Sequence, residues 1–255
     1  MSGFTAEWLA LREPADAEAR SSRLVSFVSR LGRVLDLGGG TGSNIRYLSP
    51  RLPAPQRWTL VDDDRALLAR APEGVTTIHA DLNVVVDDDT FFRGCALVTA
   101  SALLDLVSDG WLQRLVRRCR AADAAVLFAL TYDGRMECTP PEPEDDEVRR
   151  LVNEHQKRDK GFGPALGPDA PSRVVDLLSA AQYQLRYEAS DWHLGEASPQ
   201  LQQQLIDGWA SAASEIAPDR RERLDDWRRR RHAHVNSSRS RLLVGHVDVA
   251  GIRRA

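Results

Sequence analysis

The chain has 255 residues, of which 42% are hydrophobic, and its formal net charge at pH 7 is −3. This length and apolar content suffice for one large core, so we predict a single domain that carries insertions. A nucleic-acid-binding protein is not expected, because the chain has no surplus of basic residues with which to neutralise phosphates. The sequence shows no run of 18 apolar residues and no secretory leader pattern, which favours a cytoplasmic protein without a membrane partner.

The three cysteines, Cys95, Cys119 and Cys138, lie far apart in the chain. Their odd number and their spacing fit neither a disulfide framework nor a zinc site. We therefore predict reduced thiols, as in a cytoplasmic protein, and no bound metal.

Residues 1–31 are predicted to form helices that precede the first strand. Pro14 is expected to begin the second of these helices, because proline is tolerated in a first turn. Arg12 lies four residues before Asp16, which is the spacing at which opposite charges pair on a helix. Arg12 is therefore either the ion-pair partner of Asp16 or a residue that binds a ligand.

The next segment, Val34–Asn44, is predicted to be a short buried strand followed by a glycine-rich turn and the start of a helix. Glycine occupies positions 38, 39, 40 and 42, and glycine lets a ligand approach the main chain closely. The N–H groups at the start of the following helix are free to bind that ligand. Asp36 lies within the apolar run, and a buried carboxylate needs a partner, which a cationic ligand would provide.

Two classes of ligand are bound by such turns, and the residues distinguish between them. The dinucleotide fingerprint G-x-G-x-x-G matches at Gly38 and Gly40 but fails at Ser43, and the lysine of a P-loop is missing. The stretch instead resembles motif I of the class I S-adenosylmethionine-dependent methyltransferases. Their cofactor carries a sulfonium cation and an ammonium group but no phosphate, which suits an acidic, glycine-lined site.

The elements that follow extend this resemblance. The second strand ends at Asp62, and an acidic residue about 20 positions past the glycines is expected to bind ribose hydroxyls. The resemblance further implies that Asp81 bonds the adenine amino group and that Leu82 packs on the ring. It also implies that Ser101 faces the cofactor and that Arg12 reaches the methionine carboxylate. The full set of cofactor-binding residues implied in this way is Asp36, Gly38, Gly39, Gly40, Asn44, Asp62, Asp63, Asp81, Leu82, Ser101 and Arg12.

Apolar runs alternate with helical segments along the chain, which predicts a mostly parallel α/β sheet with helices on both faces. The resemblance makes this a Rossmann-like class I methyltransferase fold with seven strands, of which the last is antiparallel. Its cofactor-binding core is expected over residues 32–131. The strands are predicted at residues 33–37, 57–61, 75–80, 96–100, 125–131, 184–194 and 241–249.

Two segments, 132–170 and 197–237, exceed a minimal fold and are predicted to be insertions on the substrate side. Loops at the carboxyl ends of strands carry function in open α/β sheets, so we expect the Gly/Pro loop around Phe162 to cover the substrate. The arginines at 228–231 have acidic neighbours and are predicted to form a solvated helix face. The candidate substrate-binding residues are Tyr132, Asp133, Phe162 and Trp192.

A methyl transfer needs a base only when the acceptor carries a proton that must leave. The candidates are Asp105, one helical turn beyond Ser101, His155 on the insertion helix, and His193 at the end of the sixth strand. Asp105 would act as this base or only orient the acceptor. The structural alternative is an aspartate that caps a helix at Ser108–Gly110 or pairs with a nearby arginine, so its role stays open.

The sequence thus predicts a methyltransferase that uses S-adenosylmethionine and acts on the oxygen, nitrogen or carbon of a small-molecule acceptor. The chain is also a candidate homodimer. Two alternatives stay open: a nicotinamide-dependent oxidoreductase, and a non-catalytic domain of the same fold that binds the cofactor for regulation. Side-by-side binding of S-adenosylhomocysteine and NAD separates the first of these from a methyltransferase.

Overall fold

A computed structural model of the chain describes residues 4–253, and these form one sheet with helices on both faces. The first three residues of the predicted N-terminal helical segment lie outside this range. The strands are β1 (Gly32–Leu37), β2 (Gln56–Asp62), β3 (Thr76–His79), β4 (Cys95–Ser101), β5 (Ala125–Thr139), β6 (Tyr183–Ala189), β7 (Trp192–Leu194) and β8 (Arg241–Arg253). The α-helices are α1 (Ala6–Ala19), α2 (Ser22–Phe27), α3 (Ser43–Leu48), α4 (Arg65–Leu68), α5 (Leu82–Val85), α6 (Asp109–Ala121), α7 (Asp145–Gln156), α8 (Ala170–Ala180), α9 (Pro199–Ile216) and α10 (Arg221–Asn236). Within residues 4–253, no helix combines the length and the apolar character that a bilayer span requires.

The strand order is β3-β2-β1-β4-β5-β8-β6, and the short β7 also pairs with β8. Strands β1 to β5 are parallel, whereas β8 is antiparallel to β5, β6 and β7. Because β8 lies between β5 and β6, the order differs from the dinucleotide-binding order, in which the sixth strand follows the fifth directly. The predicted mostly parallel sheet with an antiparallel last strand is confirmed, with β7 as an addition.

The alternation of side chains along the strands divides the core between the two sheet faces. Leu35 and Leu37 of β1 pack in a cluster with Trp111 of α6 and Val174 of α8. Val34, the residue before Leu35, belongs to the cluster on the opposite face with residues of α2 and α3. Because β1 to β5 are parallel, their carboxyl ends lie along the same edge of the sheet, and helices flank this edge on both faces.

A third cluster lies under the two insertions. It joins α7, α9 and α10 to β7 and to the outer halves of β5 and β8. Trp8, Leu11, Ala15 and Ala19 of α1 pack against it. This packing explains why α1 continues through Pro14, which was expected to begin a new helix: the second helix begins at Ser22 instead.

Strand β5 is longer than predicted, because it continues through Thr139. Its pairing with β8 shifts register at two places, around Leu130 (φ +53°) and around Gly134 (φ +88°). The buried carboxylate of Asp248 accepts the Leu130 N–H at 2.8 Å and so stabilises the first bulge. Polar residues around these bulges conceal the strand pattern in the sequence, so the first inserted segment begins after Thr139 and not at residue 132.

The predicted sixth strand, 184–194, is divided into β6 and β7 by a break at Ser190 and Asp191. Both residues bond the main chain of β8 there: Ser190 N–H donates to the His246 carbonyl at 2.9 Å, and an Asp191 carboxylate oxygen accepts the His246 N–H at 3.1 Å. The break lets β7 pair with an earlier part of β8 than β6 does.

The prediction of a solvated arginine face at 228–231 is wrong for Arg231, which is fully buried. Its guanidinium forms an ion pair with Asp145 of α7 and donates to the Pro140 carbonyl at 2.6 Å. Arg231 lies four residues after Trp227 and four before Val235, both of which are buried. That helical spacing was the sequence signal for its inward position.

Candidate cofactor and acceptor site

The turn between β1 and α3 leaves little room for side chains. Gly38 (φ +64°) and Gly40 (φ +53°) adopt left-handed conformations that favour glycine. A Cβ on Gly39 would overlap the Leu60 side chain and would lie 2.6 Å from Oδ2 of Asp36. The turn therefore presents main chain to whatever lies above it.

Asp62, the last residue of β2, is bonded to this turn. Its Oδ2 accepts the Gly40 N–H at 2.8 Å, and its Oδ1 accepts the Asp64 N–H at 3.0 Å. Burial raises the pKa of Asp62, and the two N–H groups oppose that shift. Each carboxylate oxygen keeps a further lone pair, so the residue can accept two hydroxyl donors. The neighbouring Asp63 is exposed.

Asp81 and Leu82 follow β3 at the same edge. Asp81 is exposed and caps α5, since its Oδ1 accepts the Asn83 N–H at 2.8 Å. Leu82 is buried, and its side chain would lie 3.5 Å from a Cβ on Gly38, with Leu103 opposite at 3.4 Å. The structure thus brings Leu82 close to the glycine turn.

Asp36 lies beneath the turn and is fully buried. Asn44 Nδ2 donates to its Oδ1 at 2.6 Å and also lies 3.2 Å from Thr99 Oγ1. Burial raises the pKa of Asp36 to about 7, and the Asn44 bond opposes the shift. Among the described residues no donor reaches its Oδ2. Both predicted residues therefore support the turn from below.

Helix α1 lies over the turn, because a Cβ on Gly40 would be 2.9 Å from the Leu9 side chain. Arg12 forms an ion pair with Asp16 (Nε to Oδ2, 2.9 Å), and its guanidinium lies 4.8 Å from the ring centroid of Trp192. Trp192 is buried and donates its indole N–H to Asp16 at 3.1 Å. Of the two roles left open for Arg12, the structure shows the ion pair. Trp192 packs in the core of this region.

A cavity of about 160 Å³ lies between α1, α3 and the end of β4. The predicted cofactor residue Ser101 lines it together with Ser43, the first residue of α3. Arg20, which follows α1, also lines it and is only 8% exposed, with its guanidinium 4.2 Å from the Tyr47 ring centroid. Arg20 was not predicted, because no residue near it in sequence distinguishes it from the many solvated arginines of the chain.

Asp105 lies in the loop between β4 and α6 and is 8% exposed. Burial raises its pKa to about 6, while the Tyr132 main-chain N–H and the charges of Arg12 and Lys160 oppose that shift. Within residues 4–253, no hydrogen-bond donor reaches its Oδ1. The helix-cap alternative is wrong for α6, because the cap is Ser108, whose Oγ accepts the Trp111 N–H at 3.3 Å.

His246 of β8 was not predicted, although it lies in the same region. It pairs with Tyr132 across the sheet, and its ring centroid is 6.2 Å from that of Tyr132 and 5.1 Å from that of Trp192. Burial lowers the pKa of His246 to about 3, with a smaller contribution from the charge of Arg12, so the imidazole is neutral at ordinary pH. No partner for its Nδ1 is found in the described part of the chain.

The remaining substrate-binding candidates have structural partners. The Tyr132 hydroxyl donates to Asn153 Oδ1 at 2.7 Å, and burial raises its pKa. Asp133 Oδ2 accepts a hydrogen bond from Arg135 Nε at 2.7 Å. Phe162 makes an edge contact with Trp111, at 5.6 Å between ring centroids. Of these residues, Tyr132 lies beside Asp105 and His246, whereas Asp133 pairs with Arg135 and Phe162 packs on Trp111.

The two predicted catalytic histidines occupy different places. His155 lies 3.1 Å from a Glu215 carboxylate oxygen through Nε2, and its Nδ1 is 3.4 Å from the ammonium of Lys160. Burial and the Lys160 charge lower the pKa of His155. His193 is exposed on β7 and pairs with Leu243, beyond the part of β8 that adjoins the cluster of Tyr132 and His246. The structure therefore places His193 outside the site.

The loop at residues 161–168 crosses the carboxyl edge of the sheet. Its Gly161 carbonyl accepts from Asn83 Nδ2 at 3.0 Å beside α5. At its other end the Leu166 and Gly167 N–H groups donate to the carbonyls of Val107 (2.8 Å) and Asp105 (2.9 Å). This loop thus lies between the adenine-side residues and Asp105. Across the described residues, no group of three His, Cys, Asp or Glu side chains is arranged to hold a metal ion.

No model of a known protein family matches the chain, and no curated protein does. Its fold is similar to solved structures at low sequence identity. A cyclopropane-fatty-acyl-phospholipid synthase-like protein from Lactobacillus casei gives a TM-score of 0.58 at 14% identity, over 98% of this chain and 95% of that one. The YcgJ protein from Bacillus subtilis gives 0.51 at 16%, over 92% and 100%. A protein proposed to be a type II methyltransferase, from Anaeromyxobacter dehalogenans, gives 0.50 at 16%, over 91% and 94%.

These similarities, together with the strand order, show that the chain has the Rossmann-like class I methyltransferase fold. The predicted fold class is confirmed.

Proposed function

We propose that the chain is an S-adenosylmethionine-dependent methyltransferase that acts on a small-molecule acceptor. The observation that carries the proposal is the convergence of Asp62, the glycine turn and Asp105 at one edge of a sheet with this strand order. In open α/β sheets, ligands bind outside the carboxyl ends of the strands. The nicotinamide alternative is disfavoured by the position of β8 between β5 and β6.

The residues at the turn fit the proposed cofactor. The main chain of Gly38 and Gly39 is only half-buried, and Asp62 has lone pairs left for the two ribose hydroxyls. Asp81 would accept from the adenine amino group, and Leu82 would contact the ring. When bound, the cofactor supplies an activated methyl group, so the protein mainly has to orient the acceptor.

Asp105 is the residue that would act on the acceptor. With its pKa near 6, its carboxyl group is mostly ionised at neutral pH and can take a proton from a hydroxyl or an ammonium group. Its Oδ1 has no donor among the described residues, and a buried oxygen without a partner costs free energy that an acceptor donor would recover. If Asp105 only orients the acceptor, its loss would raise KM, whereas the loss of a base would lower kcat.

The two inserted segments enclose the Asp105 side of the site, which supports a small acceptor. The loop at residues 161–168 lies against the Asp105 segment, and α7 packs against α9, which packs on α10. The acceptor would therefore be enclosed by the two insertions. The chemical identity of the acceptor atom is the part of the proposal that an assay must supply.

Calorimetry with S-adenosylhomocysteine and NAD tests the cofactor. We expect binding of the first and not of the second. Asp62→Ala should weaken S-adenosylhomocysteine binding by about 1.5–3 kcal/mol for each lost hydrogen bond. Asp219→Ala, which removes an exposed carboxylate next to α10, is the control and should bind as the wild type does. Unchanged affinity of the Asp62 variant would show that the ribose assignment is wrong.

Transfer of a labelled methyl group tests the activity. The wild-type protein and labelled cofactor are incubated with a cell extract, and the product is separated into dialysable, protein and nucleic-acid fractions. With the wild-type protein we expect the label in the dialysable fraction. With Asp105→Asn we expect little labelled product in that fraction. Label confined to protein or nucleic acid contradicts a small acceptor. Cofactor binding without any transfer favours the non-catalytic alternative.

A further inference from the structure

We propose that the protein forms a symmetric dimer in which the outer edge of β6 pairs antiparallel with the same edge of a second copy, with Tyr187 on the two-fold axis. This assigns an interface to the homodimer expected from the sequence. The inference is independent of the proposed function, because β6 contributes no residue to the candidate site.

The first support is the edge itself. In residues 4–253, β8 is the neighbour of β6 on one side, and no strand pairs with it on the other. Edge strands of monomeric proteins are commonly kept from pairing with other chains by being short, bulged or interrupted by proline. The opposite edge of the sheet, β3, has four residues, whereas β6 has seven in regular register with β8 and contains no proline.

The hydrogen bonds to β8 show which main-chain groups of β6 are unpaired. The N–H of Ser190, directly after β6, donates to the His246 carbonyl at 2.9 Å in the register of this ladder. Along an antiparallel strand, every second residue bonds the neighbouring strand and the residues between them point away from it. The residues that direct their N–H and C=O groups to the outer edge are therefore Leu185, Tyr187 and Ala189. Within the described chain, no hydrogen bond reaches these groups.

Charge complementarity selects the register of the second copy. A two-fold axis at Arg186 or at Glu188 would place that side chain opposite its own copy, and like charges directly opposite one another are destabilising. An axis at Leu185 would place Arg186 opposite Gln184. Only an axis at Tyr187 places Arg186 of each copy opposite Glu188 of the other, which gives two cross-strand ion pairs.

Both charged side chains are suited to this contact. Arg186 is exposed, its guanidinium lies 4.5 Å from the ring centroid of Phe27, and no carboxylate of residues 4–253 forms an ion pair with it. Glu188 accepts from Ser21 Oγ at 2.7 Å and pairs at 3.2 Å with Arg23, whose side chain is 82% exposed. Its carboxylate oxygens keep further lone pairs for a second donor.

The other face of the strand carries the apolar part of the contact. Side chains alternate between the two faces of a strand, so Leu185, Tyr187 and Ala189 share the face opposite Arg186 and Glu188. Tyr187 is 62% exposed, and the two-fold axis would bring it against the Tyr187 ring of the second copy. Self-pairing of residues 185–189 forms about six main-chain hydrogen bonds. Such a small interface is typical of weak complexes, so we expect a monomer–dimer equilibrium.

Sedimentation velocity up to ~100 µM protein, which populates a complex of micromolar affinity, measures this equilibrium. The wild-type mass should rise with concentration from 28.3 kDa toward twice that value. Arg186→Glu places carboxylates opposite each other and Glu188→Arg places guanidinium groups opposite each other, so each variant alone should stay monomeric. Arg117→Glu, at an exposed position on α6, is the control and should dimerise as the wild type does.

An equimolar mixture of the Arg186→Glu and Glu188→Arg proteins should dimerise again. In the mixed dimer the two introduced side chains face each other, and the native arginine and glutamate form the second pair. If Glu188→Arg does not fold, Tyr187→Pro replaces it. This change removes an N–H that points away from β8, so the fold should persist and the dimer should be lost.

A wild-type protein that stays monomeric throughout this range overturns the proposal. So does a dimer that persists in Arg186→Glu or Tyr187→Pro, since another surface must then form it. Dimerisation of Glu188→Arg alone, or a mixture that stays monomeric, shows that the register centred on Tyr187 is wrong.

Discussion

The two ends of the site are built in different ways. Around the glycine turn, carboxylates accept main-chain N–H groups from residues close in sequence, as Asp81 does from Asn83 and Asp62 from Asp64. Under the insertions, polar side chains bind partners far along the chain, as Arg231 does with Asp145. The turn is thus specified by short segments, whereas the acceptor side depends on long-range contacts between charged and aromatic side chains.

This difference indicates which changes each region tolerates. The glycine turn should be distorted by any added side-chain volume, but its conformation should not depend on the charges of distant helices. A region held by buried ion pairs is sensitive to the removal of one charge, because the remaining charge is left without its partner. The following experiments separate the two behaviours.

The largest effect is expected from Arg231→Met. Because Arg231 is fully buried and bonded to Asp145, its removal should lower the free energy of unfolding by about 3–5 kcal/mol. Urea unfolding measures this, with the mostly exposed Arg229→Met as the control, for which we expect a change within about 0.5 kcal/mol. S-Adenosylhomocysteine affinity should stay unchanged in the folded variant. Similar losses in the two variants would contradict the contrast between the regions.

Gly39→Ala is expected to affect the turn. The new Cβ would overlap Leu60 and approach Asp36, and such overpacking costs about 1–3 kcal/mol. We also expect loss of S-adenosylhomocysteine binding. Gly208→Ala, on α9 where a Cβ meets nothing within 4 Å, is the control and should be neutral or stabilising by up to about 1 kcal/mol. Normal S-adenosylhomocysteine affinity in Gly39→Ala would contradict the inference that the glycine turn has no room for a side chain.

Asp36 should make stability fall as pH rises. Its pKa is about 7 in the folded protein and about 4 when unfolded, so between these values the folded state holds a proton that the unfolded state has lost. Stability therefore decreases across that window, by at most about 1.4 kcal/mol per pH unit. Asp36→Asn should reduce this slope in urea titrations at several pH values, and the exposed Asp63→Asn should not. An unaltered slope in the Asp36 variant would refute the assignment.

His246, on the acceptor side of the site, should make stability fall as the pH is lowered, which is the opposite of the effect of Asp36. Its pKa is about 3 when folded and about 6.5 when unfolded, so the unfolded state takes up a proton first as the pH falls. Stability is then lost between about pH 6.5 and pH 3. His246→Gln should lessen this loss, and the exposed His193→Gln should leave it as in the wild type. Equal behaviour of the two variants would show that His246 is not held neutral by burial.

Much of the fold followed from local pattern, and several errors have a common origin. The first four strands were placed to within one or two residues, because each is an apolar run next to a turn. Strand β5 was predicted too short, since bulges at Leu130 and Gly134 interrupt its alternation and only the pairing with β8 continues it. The prediction that Pro14 begins a helix is wrong, because α1 packs on the third cluster and continues past Pro14.

The glycine turn and the order of the parallel strands along the chain could be predicted from the sequence. So could the positions of Asp62, Asp81 and Asp105 just at or after the ends of strands. These features depend on residues within a few positions of one another, so their pattern can be recognised without the fold. The burial of Arg20 and His246 and the exposure of His193, in contrast, follow from the tertiary packing alone. The physical reason is that the burial of a charged or polar side chain depends on which distant segments pack over it, and its own neighbours in sequence do not encode them.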